Sequence, residues 1–435
     1  MNQNLLIIFF ITIFLNTNLY SQITDNQIQY KRSSLHLGIV NSGIADKSEY
    51  VLQAYDKYPF PDKYNNHIVD VPVFTPDNYE LTEEERVLHN VQDEEINAEA
   101  DEYLKEATSG FIDNKSGREN MIIHVKLDKY FNETKLANKL VAKWFNYSKE
   151  DNKFDMSLIQ ERGNYNATEM EVNIAKNQAR GLASIADAGE LLINNTFVTY
   201  TKLAFYKNEP VARAVRDFAV KQADKISNEF TKDLAVTFAE QTYNATKEGY
   251  TAVSIIWLYQ LDWNDSVAAV FYTDIWKNPQ LLETTDIFKL KLLGVESSKS
   301  HVIFTVEETE QQVIERVVIR NIDNSFSKLQ KKYEVFMPKV PITSIDPIRA
   351  QIGLKEGITK NSRFEVLEMI VDPETERTSF KQVAVIKPKE DCIWDNRYKL
   401  TDELISEEAK NIPKYTEFRG RSSKIYPGML IKQIK

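Results

Sequence analysis

Two short segments of the chain place carboxylates beside an aromatic ring. Asp391 and Asp395 enclose Trp394, and a second acidic pair lies at Asp262 and Asp265. Glycoside hydrolases use two carboxylates about 5 to 9.5 Å apart, often beside an aromatic platform. The same residue types also form ordinary turns. The acidic cluster of Asp391 and Asp395 therefore indicates either a hydrolase acting on glycan or peptide, or a loop, and we assign no catalytic residue.

Glu161 and Arg162, in the segment ERGNYN, form the second candidate site. We predict a strand over residues 154–159 and a helix that begins at Asn166 and continues to about residue 192. The Glu-Arg pair would then lie at the end of a strand, where open α/β sheets bind ligands. Glu161 and Arg162 are thus candidate ligand-binding residues. Alternatively, they only fix the turn, since no phosphate-binding glycines accompany them.

Recognisable catalytic and cofactor motifs are missing. The sequence has no phosphate-binding loop, no dinucleotide-binding glycine pattern, no nucleophile elbow and no histidine pair at metal-binding spacing. Cys392 is the only cysteine, which excludes an intramolecular disulfide and a cysteine-rich metal site. We expect no metal and no cofactor, and we expect enzymatic activity only under the hydrolase alternative.

The elements that must position these residues change in character along the chain. Residues 23–118 predict an extended, proline-containing wrapper that lays aromatic rings on a later domain, followed by an acidic helix over residues 82–108. Thr82 and Glu85 form a capping box at the start of that helix. Residues 119–336 predict an α/β domain with alternating strands and helices. Residues 337–435 predict a small β-barrel, because closure removes exposed strand edges. Its expected strands are 348–352, 364–371, 380–386, 415–418 and 430–434.

Within the α/β domain, strands are expected at residues 121–125, 196–205 and 251–261. The last is apolar on both faces and should be central in the sheet. Residues 211–248 contain no glycine or proline and keep helical spacing, which predicts either one long inserted helix or a tight helical pair. A continuous helix would be roughly 55 Å long and would project from the domain or fold back on the sheet. The predicted fold class is α+β or α/β with a C-terminal β-barrel.

The order of parts over residues 120–335 resembles the α/β domain shared by the curli-secretion lipoproteins and the TolB N-terminal family. The resemblance rests on the segments MIIHVKL, LANKLVAKWF, FDMSLIQERG, ARGLASIADAGELL and NTFVTYTKL. The C-terminal IGLKEG, VAVIKP and YPGMLIKQ resemble the small β-barrel appended to exported proteins of Gram-negative envelopes. The chain lacks the lipidated cysteine of that family. The resemblance implies a non-catalytic envelope component that assembles with itself or with envelope proteins.

The first 22 residues predict export. A largely apolar run over residues 5–15 is followed by Asn16, Asn18 and Ser21, a pattern typical of a cleaved signal peptide and too short for a ~30 Å bilayer core. After cleavage we expect no membrane span and a periplasmic or outer-membrane-associated product. The net charge of -10 argues against nucleic-acid binding, which requires a basic surface. The leading prediction is an exported binding and assembly protein; the alternatives are an envelope hydrolase and a small-molecule sensor.

Overall fold

The structure, a computed structural model, describes residues 30–41, 47–70, 73–89, 116–165, 189–302, 309–371, 378–398, 413–420 and 423–434. The predicted signal peptide, residues 1–22, lies outside these ranges. Residues 90–108 of the predicted acidic helix and most of the predicted helix after Asn166 also lie outside them. Within the described residues, no helix combines the length and the apolar character needed to cross a membrane.

The strands are β1 (Ser34–Val40), β2 (Asn65–Asn66), β3 (Val73–Phe74), β4 (Thr196–Lys207), β5 (Tyr250–Leu261), β6 (Leu290–Val302), β7 (Val340–Ile345), β8 (Ile348–Ala350), β9 (Arg363–Val371), β10 (Thr378–Pro388), β11 (Thr416–Arg419) and β12 (Leu430–Ile434). The α-helices are α1 (Ser48–Asp56), α2 (Glu83–Leu88), α3 (Ser116–Thr134), α4 (Leu136–Trp144), α5 (Ser157–Tyr165), α6 (Gly189–Asn194), α7 (Asn208–Ala223), α8 (Glu229–Thr246), α9 (Asp265–Val270), α10 (Leu281–Thr284) and α11 (Glu310–Lys332). Helices and strands are thus both abundant, as the α+β prediction requires.

The larger sheet has the strand order β2-β1-β4-β5-β6, with β3 also paired to β1. The pairs of β1 with β2, β3 and β4 are parallel, whereas β4, β5 and β6 are antiparallel. The predicted strand at 251–261 is confirmed, and it lies between two neighbours. Its apolar residues on both faces reflect burial by helices on both sides of the sheet.

Helices cover both faces of this sheet. On one face α1 and α11 contribute apolar side chains to a core with β1, β4 and β5. On the other face α3 and α4 pack against the opposite side chains of the same strands. The buried face of α11 includes Val313, Val318, Ile322, Phe326 and Leu329, which follow the spacing of an amphipathic helix.

The N-terminal segment departs from the wrapper prediction. β1 is an internal strand of the sheet and is buried along its whole length. Its residues are apolar except for Ser34 and His36, a composition that suits a strand covered on both faces. The aromatic residues that follow do pack on later parts of the chain, as predicted: Tyr64 stacks on Phe336 with ring centroids 4.8 Å apart. Tyr55, Tyr58 and Phe60 contact the same core.

Two predicted strands are wrong. Residues 121–125 belong to α3, and the predicted strand at 154–159 gives way to α5 from Ser157 onward. In α3 the buried Ile123, Leu127 and Phe131 face the sheet. They recur every four residues, which is helical spacing. Because this spacing continues past the short β-branched run that resembles a strand, the segment forms a helix.

Residues 211–248 contain the second of the two predicted alternatives, a helical pair. α7 ends at Ala223, and α8 begins after Asn228, whose side chain accepts a hydrogen bond from the Thr231 amide at 2.9 Å. An asparagine at this position supplies the acceptor that a helix start needs. The predicted capping box at Thr82 is likewise present, with both reciprocal hydrogen bonds to Glu85.

The predicted C-terminal β-barrel is confirmed. Its six strands close in the order β10-β11-β8-β7-β12-β9, and side chains from all parts of the wall fill one core. β7 is not among the predicted strands because it contains Pro341, which removes an amide donor. The barrel contacts the larger domain through α11: Arg320 donates to the Tyr398 carbonyl oxygen at 2.8 Å, and Lys331 donates to that of Gly357 at 2.6 Å.

Candidate functional site

Glu161 and Arg162 lie inside helix α5 and not at the end of a strand. The two side chains diverge, with Glu161 exposed and Arg162 buried. Arg162 Nη1 donates to Ser34 Oγ at 2.9 Å and to His67 Nδ1 at 2.8 Å, and its Nη2 donates to the Asn66 carbonyl oxygen at 2.9 Å. The arginine thereby connects α5 to β1 and β2. The strand-end location that suggested a ligand site at Glu161 and Arg162 is wrong.

The partners of Arg162 are themselves fixed. His67 Nε2 lies 3.0 Å from the Leu140 carbonyl oxygen and donates to it, since Nδ1 accepts from the arginine. His67 is therefore neutral in this arrangement. Burial, together with the charge of Arg162, holds the pKa of His67 well below its ordinary value of 6.5. The Arg162 guanidinium also lies 4.7 Å from the ring centroid of Trp144, a cation–π geometry.

In the acidic cluster of Asp391 and Asp395, the two aspartates have different surroundings. Asp391 lies exposed in a single turn of 3-10 helix. Both oxygens of Asp395 accept hydrogen bonds from Arg397, at 2.8 and 2.5 Å. Burial opposes ionisation of Asp395, but the hydrogen bonds from Arg397 outweigh it and lower the pKa of this carboxyl. A general acid needs the opposite shift, so Asp395 is suited to holding its loop.

The second acidic pair also has local structural partners. Asp262 accepts from the Asn264 side chain at 3.2 Å and pairs with Lys291 at 2.9 Å. Asn264 in turn accepts from the amides of Ser266 and Val267 at the start of α9. Asp265 occupies the first turn of that helix, where a negative charge is favoured. These residues form a turn and a helix cap.

A surface that the sequence analysis does not single out lies on the helical hairpin of α7 and α8. Phe230, Leu234 and Phe238, here called the apolar stripe, are 79%, 61% and 70% exposed. They recur every four residues of α8 and so share one face. α8 packs mainly against α7, with Ala239 buried on its other side. The hairpin thus presents three large apolar side chains to solvent.

The hairpin holds its shape through polar contacts between its two helices. Tyr243 Oη donates to Glu209 Oε1 at 3.0 Å, and the Arg216 guanidinium lies 4.8 Å from the Tyr243 ring centroid. Arg216 also lies 3.8 Å from Glu240. These contacts lie apart from the apolar stripe, which is left available for another surface.

A second feature missed by sequence reasoning is a cleft between the larger domain and the barrel, here called the lysine cleft. Its cavity volume is about 110 Å³. The lining residues are Tyr30, Lys31, Asp62 and Lys63 from the larger domain, and Lys339, Val340, Pro341, Thr343, Gln351 and Trp394 from the barrel. The three lysines come from distant parts of the chain, so no local motif marks them.

Comparison with known proteins assigns no family: no protein-family model matches the chain, and no curated protein matches it. The similarity to the curli-secretion lipoproteins and the TolB N-terminal family therefore stays a prediction. Among the residues that the structure describes, no three histidine, cysteine, aspartate or glutamate side chains form a group that could hold a metal ion. Within the described residues, the exposed apolar stripe and the lysine cleft are candidate binding surfaces.

Proposed function

We propose that this protein is an exported binding and assembly protein of the bacterial cell envelope, and that it associates through the helical hairpin. The observation that carries the proposal is the apolar stripe on α8, with its three large side chains 61–79% exposed. Exposed apolar patches on a well-packed protein mark interaction surfaces. The anchor residues at positions i, i+4 and i+8 are typical of a helix that packs against another helix.

The occupant that we propose is a second copy of the same hairpin. Two stripes brought together by a twofold axis would bury six large apolar side chains, each contributing about 1.5–3 kcal/mol. The sum is of order 10 kcal/mol, comparable to the ~4–15 kcal/mol cost of association. A twofold pair of hairpins would form a four-helix arrangement, which is a common closed assembly.

Replacing Phe230, Leu234 and Phe238 together with serine is expected to abolish self-association and leave the monomer folded. The three side chains are exposed and make little contact within the monomer, so their removal should change stability only slightly. Analytical ultracentrifugation of the mature chain over a range of concentrations measures the effect. We expect a dimer for the parent protein and a monomer for the triple variant.

Asn244→Ser on the flank of α8 is the matched control, and it should leave the dimer intact. A parent protein that stays monomeric at every concentration contradicts the self-association proposal. Loss of the dimer in the control as well as in the triple variant also contradicts it, because association would then not depend on the apolar stripe. A parent monomer that binds neutral vesicles through the stripe would identify a lipid surface as its partner instead.

Export is the second part of the proposal, and the apolar N-terminal run supports it. Cleavage near residue 22 would leave a mature chain that begins close to Gln22. N-terminal sequencing of native material together with osmotic-shock fractionation tests this. A native protein that starts at Met1 and co-fractionates with cytosolic markers contradicts export and leaves the test of self-association unaffected.

A further inference from the structure

We propose that the lysine cleft binds one ring of a neutral sugar between the larger domain and the barrel. This inference is independent of the helical hairpin. The lining combines the aromatic ring of Trp394 with hydrogen-bonding side chains from both domains, among them Gln351, Lys31 and Asp62. A pyranose has an apolar C–H face and a rim of hydroxyl groups, so it suits an aromatic ring that stands beside mixed hydrogen-bond donors and acceptors.

Trp394 is held in place by its backbone and not by its indole ring. Its amide donates to Thr416 Oγ1 at 3.0 Å, and its carbonyl oxygen accepts from the Leu354 amide at 2.9 Å. The indole Nε1 makes no hydrogen bond to the described residues, and Trp394 is only partly buried. The ring therefore lines the cleft as a pre-positioned surface, which lowers the ordering cost of binding a ligand.

Two other side chains of the lining have unused hydrogen-bonding groups. Neither the Gln351 amide nor the Lys31 ammonium group makes a hydrogen bond to the described residues. The amide supplies two N–H donors and one oxygen acceptor, and the ammonium group supplies three donors. Both residues are partly buried, which strengthens any hydrogen bond formed there. Because a sugar hydroxyl both donates and accepts, these groups suit its rim of hydroxyls.

The charges of the cleft favour an uncharged ligand. Lys63 Nζ pairs with Asp62 at 2.7 Å. Burial is the main cause that lowers the pKa of Lys31, and among the nearby charges Asp62, which raises that pKa, acts more strongly than Lys63, which lowers it. Lys339 lies over the Phe380 ring, 5.1 Å from its centroid. The lysine charges are thus largely compensated inside the protein, so a neutral sugar fits the cleft better than an anion does.

The size of the cleft limits the ligand to about one ring. Its volume is about 110 Å³, and a cavity of about 150 Å³ holds benzene. A longer glycan would place one sugar unit in the cleft and extend into solvent. Asp62 is the one carboxylate of the described lining, whereas glycoside hydrolysis uses two. We therefore expect binding without cleavage.

Saturation-transfer NMR of the mature chain with glucose, galactose, mannose and N-acetylglucosamine tests the proposal, with cyclohexanol as a ring that lacks the rim of hydroxyl groups. We expect binding of at least one of these sugars and none of cyclohexanol. Trp394→Ala should weaken binding of that sugar by about tenfold or more, because it removes the aromatic surface. Trp394→Phe should retain most of the affinity. Circular dichroism would establish that each variant is folded.

Gln351→Ala should weaken sugar binding by about threefold or more, the loss expected for one neutral hydrogen bond. This variant should fold as the parent does, since the Gln351 amide makes no hydrogen bond to the described residues. Gln280→Ala is the matched control, because Gln280 is exposed and lies outside the cleft lining.

Absence of binding of all the sugars by the parent overturns the proposal. Unchanged binding by Gln351→Ala or by folded Trp394→Ala overturns it as well, as does equal weakening by Gln280→Ala. Cyclohexanol or uridine binding as strong as that of the sugars would overturn the assignment to a sugar, because an aromatic or apolar contact alone would then account for binding.

Discussion

Replacing Arg162 with alanine is expected to lower the free energy of unfolding by about 4 kcal/mol. The change removes three hydrogen bonds from a buried guanidinium and leaves Ser34, His67 and the Asn66 carbonyl oxygen without these donors. A buried acceptor that loses a charged donor costs about 1.5–3 kcal/mol. It also removes the cation–π contact with Trp144. Denaturation in urea, followed by circular dichroism, measures the loss.

Arg213→Ala is the control for this prediction. Arg213 is 59% exposed and pairs with Glu209 one turn away on the same helix. Solvent-exposed pairs of this kind contribute little to stability, so we expect only a small change. Arg162→Lys should fall between the two, because it keeps a charge but cannot reproduce the fork of donors. A loss below ~1 kcal/mol for Arg162→Ala would contradict the structural role assigned to the arginine.

The parts of the fold that could be predicted from the sequence are those with a strong local period. β5 is apolar on both faces and lies inside the sheet, and the short alternating strands after residue 340 close into a barrel. Such patterns depend on neighbouring residues only. The predicted strand at 121–125 is wrong because its apolar pattern is too short to distinguish a strand from a helix. Its five residues fit both periods, and packing of α3 against the sheet decides between them.

The arrangement around Arg162 could not be predicted because its members are distant in the chain. Arg162 lies 128 residues from Ser34 and 95 from His67. An arginine and a histidine so far apart form no local sequence motif. Their positions come together only through the pairing of β1 with β2. The same holds for the lysine cleft, whose charges come from both domains. A sequence motif identifies a site only when one segment supplies most of its groups.

Replacing Asp323 with asparagine is expected to remove a pH-dependent loss of stability of about 3 kcal/mol. Asp323 lies on α11 beside the barrel, with its side chain 5% exposed. Its Oδ1 accepts from Tyr58 at 3.2 Å and lies 3.8 Å from Lys355 Nζ. Its Oδ2 is buried and has no hydrogen-bond partner among the described residues. Burial is the main cause that raises the pKa of Asp323 to about 6 from 3.8.

The charges around Asp323 act in both directions. Lys355 and the hydrogen bond from Tyr58 lower the pKa of Asp323, whereas Glu356 and Asp62 raise it. Because the folded protein holds this proton more tightly than the unfolded chain does, the contribution of Asp323 to stability is most favourable below pH about 4 and is lost as the pH rises through about 6. A shift of about two units corresponds to about 3 kcal/mol. Asparagine fills the same space without a charge, so Asp323→Asn should not show that fall.

The measurement is the difference in unfolding free energy between the parent and Asp323→Asn, in urea from pH about 4 to about 7. This difference isolates the contribution of Asp323, because the buried histidines are common to both proteins. We expect the difference to move against the parent as the pH rises. Asp286→Asn is the control: that carboxylate is 74% exposed, and its hydrogen bond with Lys135 lowers its pKa. Its titration therefore lies mostly below the measured range, and its difference curve should be nearly flat. A curve for Asp323→Asn that is as flat as that of the control, or that moves in favour of the parent as the pH rises, would show that Asp323 is ionised without penalty at the contact between α11 and the barrel.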